Sequence, residues 1–332
     1  MITSHQFQER FVFKISEDAR HRFLKCQRSK MSAIKKAFAL YVSITVLIFI
    51  TAKSIEDLSY LAPRPRPPSK VKGHVDHRSN TIDFAALDKF AGTTVILTFT
   101  NAAFVPFARN WIEYLRRLPN LPTVVIIAED TVAYDAMKQH PEVSTVLTKQ
   151  LQSPLEKSQH LSKDNIKLTN KRPTYIKKLL DKNINVLFSD VDTIWLDNPL
   201  PYLAGEYDVI LQEDHPFPEL TYSAGFIYFK ATDISKMFVN QWMEQVAKYR
   251  DLKPDQKVLN MELESAVHLK KKILDTELFP NGKNFFERTW RMKHRIRPVV
   301  IHNNWVETLQ DKFDRYDKMG LWLIQSPIND TK

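Results

Sequence analysis

The segment LFSDVDTIWLDNP, Leu187 to Pro199, decides how the chain is read. The apolar run Ile184 to Phe188 has the composition of a buried strand, and Asp190 and Asp192 stand one residue apart where it stops. A single Asp in such a place caps a turn or is solvated. Here the apolar Ile194, Trp195 and Leu196 follow at once, so both acids are drawn toward an interior. Two like charges that close need a cation. Residues one apart on a strand point to opposite sides. One acid is therefore expected on a metal, the other on a ribose or a water-bridged metal position. Oxygen ligands with open positions suit Mg²⁺ or Mn²⁺, ions that grip a diphosphate.

Outward from this segment, short apolar runs alternate with helical patterns. Thr94–Phe99, Thr123–Ala128, Val143–Leu147, Asp208–Gln212, Gly225–Phe229, Leu274–Leu278 and Val299–Ile301 read as further strands. Phe104–Leu118, Thr131–His140 and Thr174–Lys182 read as helices. Continuous Val/Ile/Leu runs alternating with helices predict an α/β fold, a mainly parallel sheet covered on both faces. Ligands then sit outside the carboxyl ends of the strands. Asn101, Asp190, Asp192 and His302 all fall there and form a candidate site.

The N-terminal quarter is organised differently. Residues 1–36 carry nine Lys/Arg against three Asp/Glu, six of the ten excess positive charges of the chain. Ala37–Ala52 (AFALYVSITVLIFITA) is uncharged and Lys53 closes it. Sixteen helical residues span about 24 Å, short but sufficient for a thin bilayer with lysines snorkelling at its edge. The run starts late for a cleaved leader and lacks the AxA-type pattern of small residues after Ile50. An uncleaved anchor over 37–53 is expected, its basic tail cytosolic and the rest lumenal, a type II single-pass arrangement. Cys26, the only cysteine, excludes disulfides within one chain and reads as an idle thiol, with palmitoylation as the alternative. Pro63, Pro65, Pro67 and Pro68 make 54–81 an extended stem. A lumenal domain is expected over 82–326. Asn329-Asp330-Thr331, just beyond it, is the N-glycosylation sequon of the chain. Since most of the excess charge precedes the domain, a nucleic-acid partner is not expected. Six Gly in 332 residues and no internal period exclude a repeat architecture.

The residues quoted so far resemble a known family. FSDVDTIWLDNP is similar to the metal-binding Asp-x-Asp segment of glycosyltransferases with the GT-A nucleotide-diphospho-sugar fold. The nearer likeness is to the nucleotide-diphospho-sugar transferase family that includes α-1,3-xylosyltransferases and plant cell-wall arabinosyltransferases. It runs from about Val95 to Trp322 through LTFTNAAF, KRPTYIKKLL, SAGFIYFKAT (Ser223–Thr232), DQKVLN (Asp255–Asn260), IHNNW, Lys312 and GLW (Gly320–Trp322). The resemblance implies Asp190, Asp192 and His302 as metal ligands, with Mn²⁺ favoured over Mg²⁺ by the imidazole. It implies Lys312 on the β-phosphate, and Phe99 and Asn101 near the uracil and ribose of a UDP-sugar. It places Asp255 and Gln256 under the sugar ring, although the same pair reads as a helix N-cap. Ser223, Ala224 and Gly225 are expected as a turn that lets backbone approach the sugar. Relatives carry Asn-Ser-Gly there; Ala224 leaves the donor sugar open.

The implied reaction is Golgi transfer of a sugar, xylose first and galactose or arabinose behind it, to a glycan or glycoprotein hydroxyl. Retention is implied, with Gln256 or Asp255 stabilising the cationic ring. Two rivals stand. Asp190-x-Asp192-x-Thr also fits the nucleophile loop of haloacid-dehalogenase-type phosphatases, although that loop normally opens its domain. A sugar-binding relative without catalysis is the other. Oligomeric state is open, a homodimer included.

Overall fold

The computed structural model describes residues 85–148, 163–216, 219–249, 252–294 and 296–324, all within the unit His77–Lys332. The basic tail, the uncharged run, the Pro-rich stem, Cys26 and Asn329 lie outside the described residues. Among the described residues no helix is long and apolar enough to cross a membrane.

After a 3₁₀ turn at Ala85–Phe90, the order is β1 (Thr94–Thr100), α1 (Val105–Leu115), β2 (Val124–Ala128), α2 (Thr131–Met137) and β3 (Val143–Leu147). Then come α3 (Lys163–Thr169), α4 (Arg172–Leu180), β4 (Asn185–Ser189), β5 (Thr193–Trp195), β6 (Val209–His215), β7 (Thr221–Phe229), α5 (Asp233–Tyr249) and α6 (Asp255–Ser265). β8 (Lys271–Ile273), α7 (Gly282–Phe286), α8 (Arg288–Lys293), β9 (Val300–His302) and α9 (Leu309–Lys318) complete it.

Seven strands form one sheet in the order β3-β2-β1-β4-β7-β6-β8, and β5 pairs with β9 in a second, two-stranded sheet. β1 to β4 are parallel, as expected, but β7 runs antiparallel to both β4 and β6. The sheet is therefore mixed. The cause is the connection from His215 to Thr221, too short for the crossover that parallel neighbours need. The strand expected at Leu274–Leu278 lies earlier, at Lys271–Ile273. Leu274 N–H makes a last bond to Leu211 C=O (2.9 Å), and Asp275 C=O then receives the N–H groups of Leu278 and Phe279, closing a turn. The apolar side chains of this stretch are anchors for that turn rather than a strand face.

Two cores cover the two faces of the sheet. One joins Leu97, Phe188 and Phe229 to α4, α5 and α6 through Tyr175, Trp242 and Leu259. The other joins Ile96, Leu187 and Phe226 to α1, α9 and the β5–β9 pair through Trp111, Tyr316 and Ile301. Trp195 is central to the second, edge-on to Trp111 (centroids 6.2 Å apart) and Phe226 (5.9 Å). Deleting so large a buried ring leaves a cavity the sheet cannot close. Trp195→Ala is expected to cost about 3–5 kcal/mol of stability, measurable as a lowered urea midpoint at unchanged m-value.

Candidate active site

The acids are set by a turn rather than by strand alternation. β4 ends at Ser189, and Asp190 C=O receives both the N–H (3.2 Å) and the hydroxyl (2.9 Å) of Thr193. Ser189 and Thr193 hydroxyls bond to each other (2.8 Å), and the Trp195 indole N–H donates to both. The SDVDTIW sequence thus folds onto itself. Asp190 and Asp192 converge instead of pointing apart, which corrects the expectation that they serve opposite sides. The β5–β9 register sets Thr193 opposite His302, so the imidazole arrives at the same point. One ligand atom from each of Asp190, Asp192 and His302 lies within 4.8 Å of the others. His302 Nε2 is 3.5 Å from Asp192 Oδ1 and 3.8 Å from Asp190 Oδ2.

The imidazole is held in one tautomer. The Gln212 amide N–H₂ donates to the carbonyls of Phe279 (3.1 Å) and Pro280 (3.3 Å), so its Oε1 is left to accept. That oxygen is 3.1 Å from His302 Nδ1. Nδ1 therefore carries the proton, and the Nε2 lone pair faces the two carboxylates.

Asp192 is 5% exposed and its Oδ1 has no hydrogen-bond partner. Its other oxygen accepts from the Lys312 ammonium. Its C=O accepts from Asn303 N–H (2.9 Å) and from the Tyr316 hydroxyl. Burial opposes its charge, but the Lys312 ammonium outweighs burial and holds the carboxyl well below the usual range. A charged carboxylate with one orphaned buried oxygen, facing an imidazole lone pair and a second carboxylate, is a donor set that fits a divalent cation.

Space for that set depends on Gly225. Ser223, Ala224 and Gly225 lie inside β7, not in the expected turn. Against β6, pairing jumps from Leu211↔Ile227 to Gln212↔Ser223, leaving 224–226 as a bulge. The bulge turns Ser223 Oγ to His302 Nδ1 (3.2 Å) and Gly225 C=O to Asp190 N–H (2.7 Å). A Cβ on Gly225 would overlap Asp190 Oδ2 and stand 2.5 Å from His302 Cε1. Ala224 is packed in the first core, away from the acids.

Lys312, on α9, is buried and also donates to Asn303 C=O (2.7 Å). Asp255 and Gln256 open α6, but the N-cap is Pro254 and neither caps the helix by side chain. The Asp255 carboxylate instead pairs with Arg172, whose guanidinium also reaches Asp190 (3.2 Å). Burial holds Asp255 above the usual carboxylate range against the pull of Arg172, with Asp190 adding to the rise. Gln256 accepts from Ala224 N–H (3.0 Å) and donates to Asp214 (3.0 Å). Asn101 caps the turn at Ala102–Phe104, its Oδ1 accepting from Phe104 N–H. Phe99 is buried beside Phe188 and Tyr175. Both stand one strand away from the acids, at the carboxyl end of β1.

Sequence reasoning passed over two residues. Arg172 is 3% exposed, lies over the Phe188 and Phe99 rings, and ties α4 to both Asp190 and Asp255. Its signal was its position: two basic residues at a helix start oppose the helix dipole and imply acidic partners. Lys171, the other, pairs with buried Glu129 (2.6 Å). Asp214, near the end of β6, is buried and accepts from Gln256, Asn304 and Trp305. It is another acid at the end of an apolar strand, the pattern that singled out Asp190.

Residues 119–316 match the family model of nucleotide-diphospho-sugar transferases. A UDP-D-xylose:L-fucose α-1,3-D-xylosyltransferase of Arabidopsis thaliana is 27% identical, the match covering 86% of this chain and 81% of that protein. A UDP-galactose:fucoside α-3-galactosyltransferase of Dictyostelium discoideum is 26% identical over 47% of this chain and 28% of its own length. Among solved structures, the glycosyltransferase GlyE of Streptococcus pneumoniae aligns over 70% of this chain and 61% of its own at 13% identity and a TM-score of 0.47.

Gly225→Ala tests the site without removing a ligand. It is expected to weaken divalent-ion binding by at least about tenfold, the scale on which distorted support of metal ligands acts. Calorimetric titration of Mn²⁺ into wild type and variant measures it.

Proposed function

The chain belongs to the nucleotide-diphospho-sugar transferase family, and from that premise we propose that it moves a sugar from a UDP donor to a fucosyl hydroxyl. Donor and acceptor follow the named activities of its relatives: UDP-xylose first, UDP-galactose second, and a fucose or fucoside as acceptor in both. The observation that carries the reading is the orphaned Asp192 Oδ1, facing His302 Nε2 beside Asp190. Family membership removes the phosphatase alternative, which needs Asp190 free as a nucleophile.

Asp190, Asp192 and His302 would hold Mn²⁺ or Mg²⁺. Bound there, the ion supplies positive charge to the diphosphate leaving group. Lys312 adds to that charge, because its ammonium is already at the site, tied to Asp192 and to Asn303 C=O. A charge fixed before the bond breaks stabilises the developing anion without reorganisation. Gln256 bridges Ala224 N–H and Asp214 and is half-buried, whereas Asp255 is buried. We assign Gln256 to the sugar ring. Asp255, buried against Arg172, acts through the electrostatics of the pair rather than by direct contact. Retention of configuration belongs to the proposal. The anchor over 37–53, the stem over 54–81 and a lumenal Golgi position for a catalytic domain over 82–326 rest on the sequence pattern alone.

Two assays check this reading. UDP release from a panel of UDP-sugars, with a fucoside acceptor, is expected to require Mn²⁺ or Mg²⁺, to stop with chelator, and to favour one donor. Lys312→Met is expected to lower kcat by about a hundredfold to a thousandfold, as loss of a transition-state charge partner does elsewhere. Equal turnover in that variant would remove Lys312 from the mechanism.

A further inference from the structure

Trp305 is a residue beside the site whose conformation the packing does not explain. It sits three residues beyond His302 with φ 62°, in the left-handed region that a bulky residue avoids. The residue is 42% exposed, so the unusual backbone does not bury it. Yet it is fixed from several directions. The indole N–H donates to Asp214 Oδ1 (3.0 Å). Its C=O accepts from Arg315 (3.4 Å), and Arg315 also holds the preceding Asn304 C=O (2.9 Å). The Asn304 side chain is locked between Asp214 (2.7 Å) and Gly282 N–H (2.7 Å). A large aromatic ring is therefore held in place and partly exposed, with the ammonium of the exposed Lys283 5.1 Å from its centroid. Backbone held in a rare region by its surroundings marks a functional place.

Its surroundings say what it faces. His215, half-buried at the end of β6, has its ring 6.0 Å from the Trp305 ring at 44°. Its Nδ1 donates to Pro216 C=O (3.1 Å), leaving Nε2 as an acceptor. Asp214 joins this pair to the reaction centre: the carboxylate that holds Trp305 also holds Gln256 (3.0 Å), which we place at the donor sugar. In the sheet order β1-β4-β7-β6, Asn101 ends β1 and the metal ligands follow β4, while Trp305 and His215 lie at β6. The Asn101 end of β1 is thus one flank of the site, and the Trp305–His215 pair the other.

We propose that Trp305 and His215 form the platform for the acceptor sugar, which displaces the exposed Lys283 side chain from the indole, and that the apolar ring face selects a 6-deoxy sugar. This rests on the transferase reading above. The chemistry is direct. One face of a pyranose is lined by C–H groups, which suit the electron-rich face of an indole. A 6-deoxy sugar such as fucose adds a methyl where other hexoses carry a hydroxymethyl, enlarging that apolar face. The His215 Nε2 lone pair accepts from a sugar hydroxyl. Because Asp214 fixes both Trp305 and Gln256, acceptor and donor sugar are aligned by one carboxylate.

The test uses the full-length chain in detergent, with Mg²⁺ and UDP bound. Saturation-transfer NMR titrates methyl α-L-fucopyranoside and its C6-hydroxylated counterpart, methyl α-L-galactopyranoside. Wild type is expected to bind the fucoside more tightly than the galactoside. Trp305→Ala is expected to weaken the fucoside at least tenfold and to erase that preference. Trp305→Phe, which keeps a ring but loses the bond to Asp214, should recover most of the affinity, and His215→Ala should weaken it severalfold. UDP affinity in each variant reports whether the donor site still folds. Fucoside binding by Trp305→Ala equal to wild type overturns the platform, as does a wild type that binds UDP but neither glycoside. Failure of wild type to bind UDP overturns the transferase reading itself, and the platform with it.

Discussion

Asp192 is a carboxylate buried before it is fully partnered, and much of the site follows from that. A charge taken out of water needs compensation close by. The fold supplies the Lys312 ammonium to one oxygen, and two donors, Asn303 N–H and the Tyr316 hydroxyl, to the Asp192 C=O. Lys312 and Tyr316 lie one turn apart on α9, so a single helix face contacts both side chain and main chain of the same residue. The other oxygen is left open toward His302 and Asp190. Of the three oxygens of Asp192, only Oδ1 lacks a hydrogen-bond partner.

That arrangement rests on two departures from regular structure. The Ser189–Thr193–Trp195 hydrogen bonds convert a strand end into a turn, so that alternation no longer separates the acids. The bulge in β7 then clears the space beneath them, and only glycine, with no Cβ, fits at position 225. The β5–β9 ladder, three residues on each strand, brings a histidine from far along the chain into register with this turn. Regular sheet supplies the platform; the irregular residues supply the aim.

The alternating pattern and the apolar runs were legible in the sequence because burial on both sides of a sheet leaves continuous Val/Ile/Leu stretches. Asp190, Asp192 and His302 were legible because each polar residue interrupts or ends such a run. The reversal of β7 was not, since strand direction is set by connection length rather than by the strand's own residues. Nor was the convergence of the acids. Side-chain hydrogen bonds of Ser189 and Thr193 override the two-residue period, and no local rule announces that override. Ser223–Gly225 read as a turn because glycine has two uses, positive φ and close approach. Here only the second applies, since Gly225 is not among the glycines with positive φ. Arg172 and Asp214 escaped because their partners are distant in sequence, although each broke a local expectation, one at a helix start and the other at a strand end.

The charges around the site show why these two belong to it. Asp190, Asp192, Asp214 and Asp255 stand within one hydrogen-bonded neighbourhood, and Arg172 and Lys312 are the cations that pair with its acids. Their formal balance is two negative charges, which one divalent ion neutralises. Arg172 is committed to Asp255 and Asp190 from behind, stacked on Phe188 and Phe99, and cannot turn toward a ligand without abandoning a buried carboxylate. Asp214 is satisfied by N–H donors alone and attracts no cation away from the triad. Asp214 thus carries one of the two uncompensated charges, and Asp190 and Asp255, which share the single Arg172, carry the other. A protein that needed only a stable core would replace such a network with apolar residues at little cost. At the carboxyl ends of β4 and β6 the network leaves Asp190, Asp192 and His302 converging as a group that could hold a divalent ion.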